Sequence, residues 1–280
     1  VIAKDIIELE EHFPKYFDKI LLDAPCSGEG MFRKDKALIE SWKERDSEYF
    51  APIQRRLIQA CINMLKDGGM LVYSTCTFDV REDEEIIQYA LDNNSNIKVL
   101  PIEKYGGFKG ADKGYGVKLF PHRIKGEGHY VCLLQKDGNS YKCESHAKAK
   151  TDISFINELN KVFYDGVFES INDCTYFLKP INNKGIRVLR SGLLLGKETK
   201  YGFEPSQQLA MNLKINEYNN VLNLKSNDNL VEKYLRGETI ETSLDINGMV
   251  LVCVDDYPLG FAKAKNGVLK NKIDKGWIKR

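Results

Sequence analysis

Apolar residues in the first half of the chain alternate between continuous runs and helical spacing. Continuous runs at 17–23 and 70–74 predict two strands. Spacing of three and four residues predicts a helix over 51–66, which the pair Gly68-Gly69 ends. The same pattern predicts a short helix at 5–16 and strands near 97–101, 116–120 and 129–135.

The order of these elements predicts the α/β fold class. Asp79 with Glu82 three residues later has the pattern of a capping box, so a helix is expected from there to about residue 91. Strands that alternate with helices in this way are typical of a parallel sheet. Both apolar runs are nearly continuous, as expected where helices cover each face of the sheet.

The second half of the chain predicts smaller units. Its pattern indicates a helix near 152–163, strands near 173–179 and 186–195, and a helix opened by Pro205. A short helix to Leu235, a strand over 249–254 and a hairpin across Asn266-Gly267 follow. The predicted domains are 1–138, a polar linker over 139–151, a mixed α+β region over 152–226, and a β-rich module over 227–280.

Composition narrows the class of protein. The 280 residues are 42% hydrophobic and 29% charged, which is typical of a soluble protein with two or three domains. No apolar run reaches the ~18 residues that a membrane helix needs. The seven cysteines are widely spread without CxxC pairs. That spacing argues against a disulfide framework and a zinc cluster, and favours reduced thiols in the cytoplasm.

The net charge of +1 conceals a basic tail. The segment 263–280 has seven basic residues and one acidic residue, so the remainder of the chain sums to −5. Phe261 and Trp277 lie within or beside this segment. Basic residues interleaved with aromatic ones favour contact with RNA, which would weaken steeply with salt. The alternative is a solvated hairpin whose edge lysines prevent aggregation.

Two cysteines stand where a sheet would place a ligand site. Cys26 follows the first predicted strand and Cys76 the second. Parallel strands present their carboxyl ends at one edge of the sheet, so both thiols and Asp23 are expected to face one cleft. Most cysteines are simply small buried hydrophobes. That interpretation fits Cys61, Cys132 and Cys253, which lie inside predicted helices or strands.

Other thiol chemistries fit the sequence poorly. A phosphatase loop needs an arginine six positions after its cysteine, where this chain has glutamate or phenylalanine. A cysteine hydrolase needs a histidine partner, and nothing local places His122 or His129 beside a thiol. A helix that begins near Asp79 would lower the pKa of Cys76.

Several strings resemble one family, the Sun-type RNA (cytosine-5) methyltransferases, and most closely its RsmF-like ribosomal RNA branch. The paired Pro-Cys and Thr-Cys motifs are the most specific part of the resemblance, which spans nearly the whole chain. The matching strings are 17–35, 73–78, 120–122 and 126–129, and in the tail 235–238, 259–263, 269–271 and 275–277.

The resemblance implies the rear part of a Rossmann-like class I methyltransferase sheet, followed by the mixed region and a PUA-like RNA-binding module. It implies S-adenosyl-L-methionine as cofactor and RNA, of the ribosomal kind, as partner. It makes Cys76 the nucleophile and Cys26 the group that assists product release, and it places Asp23 between the cofactor and the base. The alternative from another class is a non-catalytic RNA-binding fragment.

The chain departs from the family pattern at its front. The family builds its cofactor pocket from a glycine-rich loop after the first strand and an acidic residue after the second, and neither is present here. The strand at 17–23 resembles the family's fourth. We therefore expect a fragment with an exposed apolar edge at 17–23, which binds S-adenosylmethionine weakly or not at all and is inactive alone.

Overall fold

The computed structural model divides into two compact units, which are described separately. The first unit comprises residues 2–142 with 183–187, and the second comprises 143–182 and 188–280 with Val1. The structure describes residues 1–103, 106–139, 148–149, 154–164, 166–179, 181, 184–243 and 246–279. Within these residues, no helix is long and apolar enough to cross a membrane.

The first unit is an α/β domain, as predicted, and its sheet has the order β1-β2-β6-β5-β4 with β3 also on β6. Short 3-10 turns lie at Glu29–Met31 and Asp112–Gly114. The helices and strands are α1 (Ile6–Leu9), β1 (Phe17–Asp23), α2 (Ala37–Glu44), α3 (Ser47–Met64), β2 (Leu65–Thr75), α4 (Glu84–Asn93), β3 (Ile97–Leu100), β4 (Lys109–Gly110), β5 (Val117–Leu119) and β6 (His129–Lys136).

Among the described strands of this sheet, only one pair is parallel. β1 and β2 run together, with Asp23 opposite Ser74 at their carboxyl ends. β6 runs antiparallel to β2, β3 and β5. It returns from β5 through a short connection, and such connections join antiparallel strands. The prediction of a parallel sheet was therefore right for the pair that carries the two cysteines and wrong beyond it.

The link between α3 and β2 differs from the prediction. Asp46 caps α3 by accepting a hydrogen bond from the Glu48 N–H, so the helix begins four residues earlier than expected. It ends at Met64, and β2 begins at the next residue. The Gly68-Gly69 pair lies inside β2, where its register with β1 shifts.

The predicted capping box is wrong. Asp79 accepts hydrogen bonds from the backbone and side chain of Arg81 instead of capping a helix. α4 begins only at Glu84, five residues after Asp79. Glu82 therefore lies in the turn before the helix, and its side chain is free to bond elsewhere.

β1 is an edge strand, and one of its faces is uncovered. Leu22 is 2% exposed and packs inside, whereas Leu21 is 70% exposed. Side chains alternate between faces of a strand, so Leu21 and Asp23 point to the same open face. The expected exposed apolar edge is present, but the expected cover of helices on both faces is absent among the described residues.

The second unit contains the mixed region and a β module, as predicted. The predicted linker over 139–151 lies outside the described residues, apart from residue 139 and the strand Lys148–Ala149. In place of the helix over 152–163 there is a 3-10 turn at Ser154–Glu158. The elements are β7 (Lys148–Ala149), β8 (Val167–Ile171), β9 (Cys174–Leu178), β10 (Leu193–Thr199), β11 (Gly202–Pro205), α5 (Gln207–Asn212), β12 (Val221–Leu224), α6 (Asn229–Leu235), β13 (Ile240–Glu241), β14 (Gly248–Val254), β15 (Tyr257–Lys265) and β16 (Val268–Asn271).

The C-terminal sheet has the order β12-β14-β15-β16-β13. Its predicted hairpin is confirmed: Asn266 and Gly267 both have positive φ between β15 and β16, as a type I′ turn requires. Phe261 is 1% exposed and belongs to an apolar cluster that it shares with residues of the mixed region. The expectation that Phe261 contributes to an RNA surface is therefore wrong.

Candidate active site

The structure brings the two strand-end cysteines together. The sulfur atoms of Cys26 and Cys76 are 2.9 Å apart, and both side chains are partly exposed. The backbone N–H of Cys76 also donates to the sulfur of Cys26 at 3.2 Å. The contact follows from the parallel register of β1 and β2, because each cysteine comes within three residues of the end of its strand.

Asp23 lies at the same edge of the sheet. Its side chain is exposed, and its carboxylate accepts a hydrogen bond from the Ser74 hydroxyl at 3.1 Å. Its negative charge raises the pKa of Cys76, although other contacts outweigh this effect. The three residues singled out from the sequence therefore lie at one edge of the sheet.

The contact between the two thiols shifts their pKa values in opposite directions. A hydrogen bond from the Cys26 thiol lowers the pKa of Cys76, against the opposing effect of partial burial. The same hydrogen bond and deeper burial raise the pKa of Cys26. The Cys76 N–H favours charge on Cys26 but is the weaker influence. Cys76 is therefore the more acidic thiol of the pair, a property that favours it as the nucleophile.

We expect Cys26→Ala to slow alkylation of Cys76 by iodoacetamide several-fold at neutral pH. The substitution removes the hydrogen bond that lowers the pKa of Cys76, so less thiolate remains. Cys26→Ser keeps a donor and should retain most of the rate. Mass spectrometry of each cysteine peptide measures the reaction, with the buried thiols of Cys61 and Cys132, whose pKa values burial raises to about 12, as unreactive references. An unchanged or faster rate in Cys26→Ala would contradict the assignment.

Three backbone segments meet behind the thiols with little space between them. The N–H of Gly30 donates to the carbonyl of Cys76 at 2.9 Å, and the N–H of Gly128 donates to the carbonyl of Gly30 at 2.9 Å. A Cβ on Gly30 would lie 2.6 Å from the Gly128 oxygen and 2.8 Å from the Cys76 oxygen. A Cβ on Gly128 would lie 2.4 Å from the Phe78 ring, so Gly30 and Gly128 are both required by close packing.

Gly30→Ala is expected to destabilise the fold by about 1–3 kcal/mol, because backbone atoms on both sides must move. Gly106→Ala is the matched control, since a Cβ there meets nothing within 4 Å. Chemical denaturation of both variants checks the difference. Equal stabilities would show that the three segments are not packed as described.

A buried cluster of charged side chains contacts Thr75, the residue before Cys76. The Thr75 hydroxyl donates to Asp83 at 2.7 Å, and both residues are 0% exposed. The ammonium group of Lys118 lies 3.0 Å from Glu84 but 3.6 Å from Asp83. One Asp83 oxygen has no hydrogen-bond partner. Burial raises the pKa of Asp83 to about 8, above its ordinary value of 3.8.

This raised pKa predicts a loss of stability as the pH rises from about 4 to about 8. Between pH of about 4 and about 8 the folded chain keeps a proton on Asp83 that the unfolded chain has released. The free energy of unfolding then falls as pH rises, by up to about 1.4 kcal/mol per pH unit for one proton. Asp83→Asn should remove this part of the slope. Denaturation measured across this range tests it, and an identical slope in both proteins would refute it.

Two buried polar residues beside the thiols were not identified from the sequence. Gln54 and Glu82 are both 0% exposed, and both bond to the loop that contains Cys26. One signal was available for Gln54. It lies three and four residues before Leu57 and Ile58, which are buried on the apolar face of α3. A polar residue on such a face needs a buried partner.

Two lysines of the basic tail lie within ion-pair distance of a glutamate. Lys272 pairs with Glu204 at 2.8 Å, and Lys279 lies 3.9 Å from Glu232. Trp277 is 58% exposed. Arg280 lies outside the described residues. The other lysines of the tail are exposed: Lys263, Lys265, Lys270 and Lys275.

Comparison with known proteins identifies families over most of the chain. Residues 1–135 match the family described as 16S rRNA methyltransferase RsmB/F. Residues 154–213 match the first C-terminal domain of the RsmF rRNA methyltransferases, and residues 221–279 match the methyltransferase RsmF PUA domain. The resemblance found in the sequence motifs is thereby confirmed.

Curated relatives carry the same family name. The chain is 28% identical to ribosomal RNA small subunit methyltransferase F of Erwinia tasmaniensis, over 95% of this chain and 60% of that protein. It is 28% identical to the protein of that name from Shewanella oneidensis, over 96% of this chain and 61% of that protein. The chain thus spans about 60% of the length of these relatives. The crystal structure of NSun6 from Pyrococcus horikoshii with SFG is 30% identical and aligns with a TM-score of 0.42, covering 49% of this chain and 34% of that one.

Proposed function

The chain belongs to the RsmB/F family of 16S rRNA methyltransferases, and from this premise we propose that it carries the catalytic cysteines of an RNA cytosine-5 methyltransferase. The observation that carries the proposal is the contact between the Cys26 and Cys76 sulfurs, 2.9 Å apart, beside the exposed carboxylate of Asp23. A protein that only binds RNA has no need of this arrangement. The substrate is RNA of the small ribosomal subunit.

The reaction needs a sulfur nucleophile because carbon 5 of cytosine is itself a poor nucleophile. When the Cys76 thiolate adds to carbon 6, electron density moves to carbon 5, which can then take a methyl group. In the same step, electron density also increases on a nitrogen atom of the cytosine ring. Asp23 lies at the same edge of the sheet, where its carboxylate can carry a proton from solvent to that nitrogen, which stabilises the adduct, and take the proton back on release.

Release of the product requires a base, and Cys26 fills this role. While Cys76 is charged, its charge and hydrogen bond hold the pKa of Cys26 high. Once the Cys76 sulfur is bound to carbon, that charge is gone, and the Cys76 N–H still donates to the Cys26 sulfur. Cys26 then loses its proton to solvent and takes the proton from carbon 5. The C–H electron pair forms the 5,6 double bond, and the carbon–sulfur bond breaks to restore the Cys76 thiolate.

S-adenosylmethionine is the cofactor that this family assignment implies, and it supplies an electrophilic methyl group. The open face of β1 suits part of it, because Asp23 offers a carboxylate to a cationic sulfonium and Leu21, 70% exposed on the same face, offers an apolar surface. Asp23 is the residue of this chain that would lie between the cofactor and the base.

The C-terminal module supplies contacts to RNA. Its exposed lysines neutralise phosphates, and Trp277 provides a surface on which a base can stack. The cytosine must be unstacked from its neighbours to reach the thiols.

Tritium release from RNA labelled at carbon 5 of cytosine tests the proposed reaction. The full-length protein is incubated with S-adenosylmethionine and small-subunit RNA from cells that lack the gene. The proposal predicts one tritium released for each methyl group incorporated, because the proton on carbon 5 is displaced. Methyl incorporation with the tritium retained would place the methyl group on another atom and refute the proposal.

A further inference from the structure

The loop that carries Cys26 is held by a buried pair of side chains, Gln54 and Glu82. The Gln54 amide donates to the carbonyl of Pro25 at 2.8 Å and to the Glu82 carboxylate at 2.8 Å. The same Glu82 oxygen accepts from the backbone N–H of Ser27 at 3.1 Å. The residues on both sides of Cys26 are therefore tied to one amide and one carboxylate.

The loop has few other ways to hold this position. The N–H of Ala24 donates to the Ser74 carbonyl at 2.9 Å and is the last sheet-like bond before the loop. Pro25 has no N–H, and Gly28 adopts a positive φ of 79°. A second contact joins the Ser27 hydroxyl to Thr77 at 3.1 Å, but it leaves the Pro25 carbonyl and the Ser27 N–H to the Gln54–Glu82 pair.

Burial of the Glu82 side chain is energetically unfavourable. Its side chain is 0% exposed, and among the described residues no lysine or arginine forms an ion pair with it. One of its oxygens has no hydrogen-bond partner, and neither has the amide oxygen of Gln54. Such groups destabilise a fold by about 1–3 kcal/mol each, so their presence beside the thiols indicates a use other than stability.

We propose that Gln54 and Glu82 are positioning residues that hold Cys26 for the release step, a role that rests on the proposed function. The step needs the Cys26 sulfur beside the adduct, where it can take the proton of carbon 5. Attack by Cys76 does not depend on the loop backbone in the same way, because Cys76 is held by β2 and by the bond between its carbonyl and Gly30. Loss of the pair therefore impairs release more than attack.

Gln54→Met tests this inference, because methionine keeps the length of the side chain and removes both hydrogen bonds. In the full-length protein, turnover should fall about ten- to hundredfold, the cost of a misplaced catalytic group. The amount of protein linked covalently to RNA should rise at least several-fold over the wild type. Gln59→Met is the matched control: Gln59 lies on the same helix and bonds to Asn94, away from the thiols. It should leave both quantities unchanged.

The Glu82 variants separate positioning from a general structural role. Glu82→Gln keeps an oxygen that accepts from Ser27 and Gln54, so turnover should stay close to that of the wild type. Glu82→Asp keeps the charge but draws the carboxylate back by one methylene, so it should trap RNA as Gln54→Met does. It also replaces Gln54→Met if that variant does not fold.

Two results would overturn the inference. Turnover and linked RNA that fall together would show loss of the whole site, and a Gln54→Met protein that behaves as the wild type would show that the pair is dispensable. Cys26→Ala, assayed beside these variants, separates this inference from the proposed function. If Cys26→Ala traps RNA and Gln54→Met does not, only the positioning role fails. If neither traps RNA, the proposed function fails as well.

Discussion

Cys76→Ala is expected to abolish methyl transfer to RNA, with a loss of at least about 10⁴-fold in the full-length protein. The Cys76 sulfur forms the bond that activates carbon 5, and no other group at the site can replace it. The Cys26 sulfur lies 2.9 Å away, but its pKa is raised and its position is held by the loop. Methyl incorporation into RNA measures the effect.

The control for this variant is Cys174→Ala. Cys174 is a partly buried cysteine at the start of β9 in the second unit, and its removal should leave the rate unchanged. Thermal unfolding should show Cys76→Ala to be folded, since its side chain is partly exposed. Substantial methylation by folded Cys76→Ala would exclude it as the nucleophile.

Cys26→Ala is expected to stop the reaction after methyl transfer and to leave the protein attached to RNA. The variant retains the nucleophile but lacks the base that takes the proton from carbon 5, so release slows by about 10²–10⁴-fold. The complex should survive denaturation, because a covalent bond joins it. A denaturing gel with labelled RNA therefore shows a band of slower migration that is weak in the wild type.

The double variant Cys26→Ala with Cys76→Ala supplies the control. Without the nucleophile no covalent complex can form, so the slow band should vanish. A thiol reducing agent does not cleave a thioether, so the band should persist under reducing conditions. A slow band of the same intensity in the double variant would mean that RNA is attached to another residue, which would contradict the mechanism.

The meeting of the two cysteines could be predicted because it depends on local pattern and on one rule of sheet geometry. Each thiol follows an apolar run, and parallel neighbours end at one edge. The direction of β6 could not be predicted in the same way. Its eight residues are compatible with a strand in either direction, and the direction depends on its position in the sheet, where β6 pairs with β2 and β5 and runs antiparallel to both.

Other differences between prediction and structure arose because one sequence pattern is compatible with two structures. Asp79 and Glu82 have the spacing of a capping box. In the structure, however, Glu82 accepts a hydrogen bond from the loop that contains Cys26, and the helix begins after Glu82. Phe261 lies on the same face of β15 as the exposed Lys263 and Lys265, but apolar residues of the mixed region cover that face at Phe261, which the local sequence does not indicate. The hydrogen bonds of Gln54 join it to residues 29 and 28 positions away, which no local pattern encodes.

The most direct test of the central claim is to identify the residue that becomes covalently attached to RNA. Full-length Cys26→Ala is incubated with small-subunit RNA and S-adenosylmethionine, digested with nuclease and protease, and analysed by mass spectrometry. The mechanism predicts one peptide that carries a methylated cytidine nucleotide on Cys76. A nucleotide attached to any other residue, or a modified peptide that is absent while Cys76→Ala still methylates RNA, would contradict it.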